Sequence, residues 1–261
     1  MVSQFRVLAF SGIAACAALL ATPAAGQSNQ EPLPRFEEQI CPGVAGLQLE
    51  AAEAMVGRIR ANLTEFGRQL APESTCEPNL VVAFVEDSRE FLRRMERERR
   101  WLFLEMEEAD RRALLDDGGA TRTLLRVRSR SRDGMPVGRR ENLVDIPQTT
   151  MWMAHSKIYT ATRNDIHYAM VLFDREAIEG LNLAQLADYA TFRALTRTLP
   201  ESPEARRASI LALFEEGAEN PEGLTEFDRS YLSTLYSGPP NLPGPARLAA
   251  IEAATGRDLF E

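Results

Sequence analysis

Two histidines could supply metal-binding or acid–base chemistry in this chain of 261 residues. His155 ends a segment rich in Met and Trp, and His167 lies between Ile166 and Tyr168. If the two segments pair as strands, both imidazoles and Asp165 could meet around a metal ion, since nitrogen and carboxylate oxygen are zinc ligands. Nothing in the spacing requires this arrangement, and structural or exposed histidines are the simpler interpretation. We therefore predict no metal site and no cofactor.

Four arginines alternate in the segment LLRVRSRSRDG and could form an anion-facing surface: Arg126, Arg128, Arg130 and Arg132. Side chains at every second position share one face of a β-strand. Like charges at this spacing repel unless acids or an anionic ligand face them, and guanidinium groups suit phosphate and carboxylate. An anionic envelope component or an acidic protein is one partner that fits. A solvated outer face, or a charged sheet edge that blocks aggregation, is the alternative.

The common catalytic motifs are absent from the sequence. It contains no G-x-S-x-G, no P-loop, no G-x-G-x-x-G and no H-E-x-x-H. The acids of one cluster, Glu105, Glu107, Glu108 and Asp110, are followed by arginines, which predicts a solvated helix face. A formal net charge of -8 without a broad basic run argues against nucleic-acid binding. No catalytic residue is therefore assigned, and the balance favours a protein that is not an enzyme.

Residues 1–26 have the pattern of an export signal. Arg6 gives a positive start, an apolar run spans 7–20, and the small residues at 24–26 are those a signal peptidase needs before Gln27. This pattern predicts a periplasmic or secreted protein. The alternative is a lipoprotein anchored at Cys16, because residues 13–16 (IAAC) fit a lipobox. No later apolar stretch is long enough for a transmembrane helix, so none is predicted in the mature chain.

Cys41 and Cys76 remain after that signal, and an even pair in an oxidising compartment predicts a disulfide. Two free buried thiols are the alternative. A helix is predicted between the two cysteines, and a helix carries the chain away from its start by about 1.5 Å per residue. The bridge therefore requires residues 42–47 to run back alongside this helix.

Hydrophobic periodicity predicts a single α+β domain over 37–261, preceded by a flexible mature N-terminus over 27–36. The sheet is predicted to be small and mixed, and the C-terminal part to contain three helices. Caps at Asn182 and Thr225 mark two helix starts. Helices are predicted over 49–69, 88–97, 107–115, 182–198, from 225 onward and over 246–255. Strands are predicted over 79–86, 121–132, 149–155 and 165–174. A short apolar element is predicted over 210–214.

The order of elements in the last third of the chain resembles the C-terminal half of a metzincin metalloprotease domain. A strand ending at Asp174 is followed by the helix over 182–198, the short segment SILALF and the helix LTEFDRSYLSTLYSG. In a metzincin, these positions hold an edge strand, the zinc-binding helix, the methionine turn and the closing helix. The resemblance implies a zincin-like fold.

The same segments lack the groups that zinc hydrolysis needs. The segment LAQLADYATFRALTRT contains no histidine and no glutamate, and SILALF contains no methionine. A zincin needs two histidines four positions apart on one helix face and a glutamate beside the first. The fold is therefore predicted to be zincin-like without a metal. Asp188, expected on the helix surface, is the one acid where a zincin groove would lie.

The segments ICPGVAGL, DIHYAMVLFD, LADYATFRAL and LTEFDRSYLSTLY are also similar to a family of uncharacterised secreted alphaproteobacterial proteins, from which no activity transfers. The sequence favours an exported, non-catalytic α+β protein of the cell envelope that acts as a binding or structural module. Two alternatives stay open: a hydrolase whose site is not legible in the sequence, and a carrier of a small ligand.

Overall fold

A mixed sheet of four strands organises the protein, as seen in a computed structural model that describes residues 30–106, 108–116, 118–137, 156, 158–215 and 217–260. The strands are β1 (Pro42–Ala45), β2 (Leu80–Val85), β3 (Thr121–Ser131) and β4 (Thr162–Asp174). They lie in the order β1-β2-β4-β3, in which β1, β2 and β4 are parallel and β3 runs antiparallel to β4 at one edge. The predicted α+β class and mixed sheet are confirmed.

Seven α-helices surround this sheet in the described ranges: α1 (Leu49–Glu65), α2 (Ser88–Glu98), α3 (Glu108–Asp116), α4 (Leu183–Leu195), α5 (Pro203–Arg207), α6 (Glu226–Tyr236) and α7 (Gly244–Thr255). Both predicted caps are confirmed as capping boxes, in which Asn182 pairs with Gln185 and Thr225 with Asp228. Each box satisfies backbone amides that a helix start leaves unpaired. None of the helices described combines the length and the apolar character needed to cross a membrane.

Two apolar layers cover the two faces of the central strands. On one face, Val82 and Phe173 pack with buried residues of α1, α4 and α6. On the other, Ala83, Met170 and Leu172 form a smaller cluster with α2 and the turn that follows it. Strands β2 and β4 are buried on both faces for this reason, which explains their nearly continuous apolar sequences.

The predicted disulfide between Cys41 and Cys76 is confirmed, with the two Cα atoms 6.0 Å apart. Its geometric requirement is met by β1, which starts directly after Cys41 and pairs with β2 from Pro42 opposite Leu80. Helix α1 leads away from β1 and a loop returns the chain to Cys76. Strand β1 was not predicted, because PGVA is too short to show alternation and contains two residues that disfavour strands.

Three further sequence predictions have different outcomes. The expected strand over 149–155 lies outside the described residues, and among the residues described β3 pairs with β4. The predicted turn at Asp133-Gly134 follows β3, with Gly134 at a φ of 85°. The flexible N-terminus predicted over 27–36 is wrong at its C-terminal end, because Phe36 is fully buried and Arg35 forms a bridge to Asp165.

Candidate functional site

A groove of about 290 Å³ lies between α3, the edge strand β3 and the end of α4, and we call it the β3–α4 groove. Its floor is formed by four half-buried apolar residues: Leu114, Leu125, Val127 and Leu199. Leu125 and Val127 are two positions apart on β3, so their side chains share the face of the strand that looks toward α4. The exposed Ala113 of α3 lies at its opening.

Among the described residues, four charged side chains line the same groove, and three of them are bound to charged partners within the chain. Asp110 and Arg197 form an ion pair with each other. Glu105 binds the two arginines described below. Arg193, in the last turn of α4, donates from Nε to the hydroxyl of Thr123 at 3.1 Å and has no acid within ion-pair distance among the described residues.

The predicted arginine surface occupies the other face of β3, where acids of the same chain neutralise it. Arg126 Nη2 lies 2.8 Å from Glu105 Oε2, and Arg128 Nε lies 2.6 Å from Glu105 Oε1. The Arg126 guanidinium also stacks over the ring of Trp101 at 5.1 Å. Burial disfavours the charge of Glu105, but the arginines outweigh it and hold the pKa of this carboxyl below its usual range.

Arg130 of the arginine surface is paired with acids in the same way. Arg130 lies 2.7 Å from Glu38 and 3.4 Å from Asp165. Asp165 is nearly inaccessible to solvent and also lies 2.9 Å from Arg163. Arg132 follows the last residue of β3 and is exposed. Arg126, Arg128 and Arg130 therefore lie at alternate positions of β3, and acids of the same chain pair with all three.

His167 joins this network as a neutral side chain. The pairing of β3 with β4 shifts between Arg126 and Val127, which leaves His167 as an extra residue in β4. Its Nε2 lies 3.1 Å from Glu105 Oε2. Burial and the nearby Arg128 lower the pKa of His167 to about 4. His155 lies outside the described residues, and in the part of the chain that is described no three His, Cys, Asp or Glu side chains cluster as metal ligands.

Asp188 does not lie in the groove, and its predicted place on the surface of α4 is wrong, because it is fully buried. Its Oδ1 accepts from Arg58 Nε at 2.8 Å and from Asn62 Nδ2 at 2.7 Å. Its Oδ2 accepts from Arg58 Nη2 at 2.7 Å and from the backbone amide of Leu224 at 2.9 Å. Burial alone would raise the pKa of Asp188, but these donors outweigh it and lower the pKa.

A second fully buried acid, Asp228, has an equally structural environment. It accepts from the hydroxyls of Ser209 and Thr225 and from the backbone amides of Ile210 and Thr225. Burial raises the pKa of Asp228 in spite of these donors, because none of them carries a full charge. Asp188 and Asp228 therefore hold helices together and face no open space in which they could act on a ligand.

Sequence reasoning missed the β3–α4 groove and its cation, Arg193. The sequence signal for this site was weak, because it consisted of one arginine near the end of the helix segment LADYATFRAL and a threonine two positions into the facing strand. Comparison with known proteins finds no matching family model, no similar curated protein and no similar solved structure. The geometry of the groove is thus the observation on which a function can be based.

Proposed function

We propose that this protein is an exported, non-catalytic binding domain whose ligand site is the β3–α4 groove. The observation that supports this proposal is that the described acids near the groove are ion-paired or buried. Glu105 and Asp110 are each ion-paired with arginines. Asp188 of α4 is fully buried, and its carboxylate accepts four hydrogen bonds. A general base must be able to take a proton from a ligand, and a carboxylate that is held by guanidinium groups is a poor base. The groove can therefore hold a ligand without an evident means of cleaving it.

The zincin-like layout inferred from the sequence is part of this proposal. It is supported by the order of β4, α4, the short turn Ile210–Phe214 and α6 along the chain. Strand β4, which was expected to be the edge strand of this layout, is an interior strand of the sheet, and the antiparallel edge strand that lines the groove beside α4 is β3. In a zincin, the helix at the position of α4 holds the metal. In this protein α4 carries Arg193, which lines the groove. The proposal is a zincin-like scaffold in which binding is kept and hydrolysis is not.

Export is the second part of the proposal. The Cys41–Cys76 bond supports it, since disulfides persist in oxidising compartments such as the periplasm. Intact mass and N-terminal peptide analysis of the protein isolated from its host should give a chain that begins at or near Gln27. A diacylated N-terminal Cys16 would establish the lipoprotein alternative and place the domain at a membrane surface.

The alternatives of a hydrolase and a small-ligand carrier are less well supported by the groove. A carrier encloses most of its ligand, whereas this groove is open along the exposed side of α3 at Ala113. A hydrolase needs a nucleophile or a general base, and the two described acids that line the groove, Glu105 and Asp110, are both ion-paired with arginines. An anionic polymer on the arginine surface is likewise disfavoured, because Glu38, Glu105 and Asp165 already neutralise that face.

Binding and turnover can be separated with a chymotryptic digest of casein, which contains peptides ending in apolar residues. We expect amide shifts of Thr123, Leu125 and Thr196 in nitrogen-15 NMR spectra, with no new peptides by mass spectrometry. The matched control is Ala113→Trp, which fills the mouth of the groove from an exposed position and should abolish those shifts. Peptide cleavage that Ala113→Trp prevents would show that the groove is catalytic, and unchanged spectra would remove it as the ligand site.

A further inference from the structure

We infer that the β3–α4 groove binds a carboxylate joined to a short apolar group, with the carboxylate on Arg193. This inference rests on the proposed function and adds the chemical class of the ligand. It depends on two features of the groove, one polar and one apolar, that lie side by side in the structure.

The polar feature is a guanidinium group with unused donors. A guanidinium carries five N–H groups, and the described residues provide one acceptor for Arg193, the hydroxyl of Thr123. That bond uses Nε, so the N–H groups on both Nη atoms are available to a ligand. The Thr123 hydroxyl accepts this bond and keeps its own proton, which it can donate to the same ligand. Such a fork fits the two oxygens of a carboxylate.

The apolar feature sets the size of the rest of the ligand. Leu114, Leu125, Val127 and Leu199 form a continuous floor beside Arg193, each of them only half-buried. The groove of about 290 Å³ lies at the lower limit of pockets that take drug-sized ligands. One apolar side chain together with its carboxylate is therefore the unit that fits, as in a peptide that ends in leucine or in a short branched fatty acid.

Charge decides against other ligand classes. The two acids that the described lining contains are bound to arginines, so this part of the groove offers no unpaired carboxylate to an amine. Arg197 is also paired, which leaves Arg193 as the one lining cation without an acid among the described residues. A single cation beside an apolar floor suits a group with one negative charge, whereas a phosphate with nearly two charges calls for further donors.

The test compares N-acetyl-leucine with N-acetyl-leucinamide, which differ only in the charged end, by NMR titration of the full mature protein. We expect the acid to bind at least tenfold more tightly than the amide. Arg193→Met, which keeps the apolar stem, should remove this preference. The matched control is Arg60→Met, which changes another half-buried helical arginine with no acid partner in the described chain. It should leave the preference unchanged.

The outcomes separate the inference from the proposed function. If the acid and the amide bind with equal affinity and Ala113→Trp abolishes both, the groove remains the ligand site. The inference that Arg193 binds a carboxylate would then be wrong. Absence of binding by both, or binding that Ala113→Trp leaves intact, would overturn the groove itself. The comparison of acid with amide uses the unmodified protein, so it stands even if Arg193→Met folds poorly. A third probe, 4-methylpentanoate, distinguishes the sources: equal binding points to free acids, and weaker binding points to peptide ends.

Discussion

Replacement of Asp188 by asparagine should lower the stability of this protein much more than an isosteric change usually does. The wild-type carboxylate accepts four hydrogen bonds, two on each oxygen: two come from Arg58 and one from Asn62, both in α1, and one comes from the backbone amide of Leu224. An asparagine keeps one oxygen and turns a donating NH₂ group toward two of the same donors. Two bonds are lost, and a buried amide such as that of Leu224 is left without an acceptor.

The size of the effect follows from these bonds. A hydrogen bond to a charged group contributes about 1.5–3 kcal/mol, so two lost bonds would cost about 3–6 kcal/mol. The Arg58 side chain is 43% exposed and can turn its guanidinium to water, which reduces the loss. We therefore expect about 3 kcal/mol in Asp188→Asn. In a domain of this size, that corresponds to a melting temperature lower by roughly 6–12 °C.

Urea unfolding at pH 7 measures this loss as a lower midpoint with an unchanged slope. The matched control is Asp110→Asn, whose ion pair with Arg197 is exposed and should contribute less than about 1 kcal/mol. The pKa of Asp188 is lowered in the folded state, so its contribution is present above the ordinary carboxyl range and is lost as pH falls through the folded pKa. A loss no larger than that of the control, or one that persists at low pH, would refute this account of the buried carboxylate.

Three further predictions concern the disulfide, the glycine that packs against Asp188, and His167. Replacing both Cys41 and Cys76 by serine should lower the free energy of unfolding by about 3–4 kcal/mol, from the entropy of a loop with a sequence separation of 35, measured in urea. Gly223→Ala should lower the melting temperature because its Cβ would lie 2.5 Å from Asp188 Oδ2, whereas Gly57→Ala, in open space within α1, should leave it unchanged or raise it. His167 should titrate near pH 4 by NMR. Because its folded pKa lies below the ordinary pKa of 6.5, its contribution to stability is present above pH 6.5 and is lost as pH falls through about 4. His167→Gln should remove this pH dependence of stability.

The parts of the fold that local signals determine were predictable from sequence. The capping boxes at Asn182 and Thr225 and the apolar runs of β2 and β4 needed no tertiary information. Strand β1 was not predictable from its own residues, because its pairing with β2 depends on the path of the chain through α1. The alternation of arginines in β3 is visible in the sequence, but their partners Glu105, Glu38 and Asp165 come from three different segments and could not be predicted from it.

The candidate site could not be predicted because it is made by packing. No single segment contains the groove, which needs α3, β3 and the end of α4 to meet. The bulge that leaves His167 as an extra residue has no local sequence signature here. Asp188 was expected at the surface because acids are rarely fully buried unless they are paired, and its partner Arg58 lies 130 positions earlier in the chain.

The bonds of Asp188 also bear on when this protein can finish folding. They join residues 130 and 36 positions apart, from Arg58 in α1 to Leu224 just before α6. Contacts of such long sequence separation form slowly, because the chain between them must be closed first. A chain still emerging from a ribosome, or from a membrane channel if it is exported, has α1 and α4 available before it has Leu224. Until then, Asp188 can be buried only without the hydrogen bond from the Leu224 amide. The native core therefore closes late, once the last quarter of the chain has arrived.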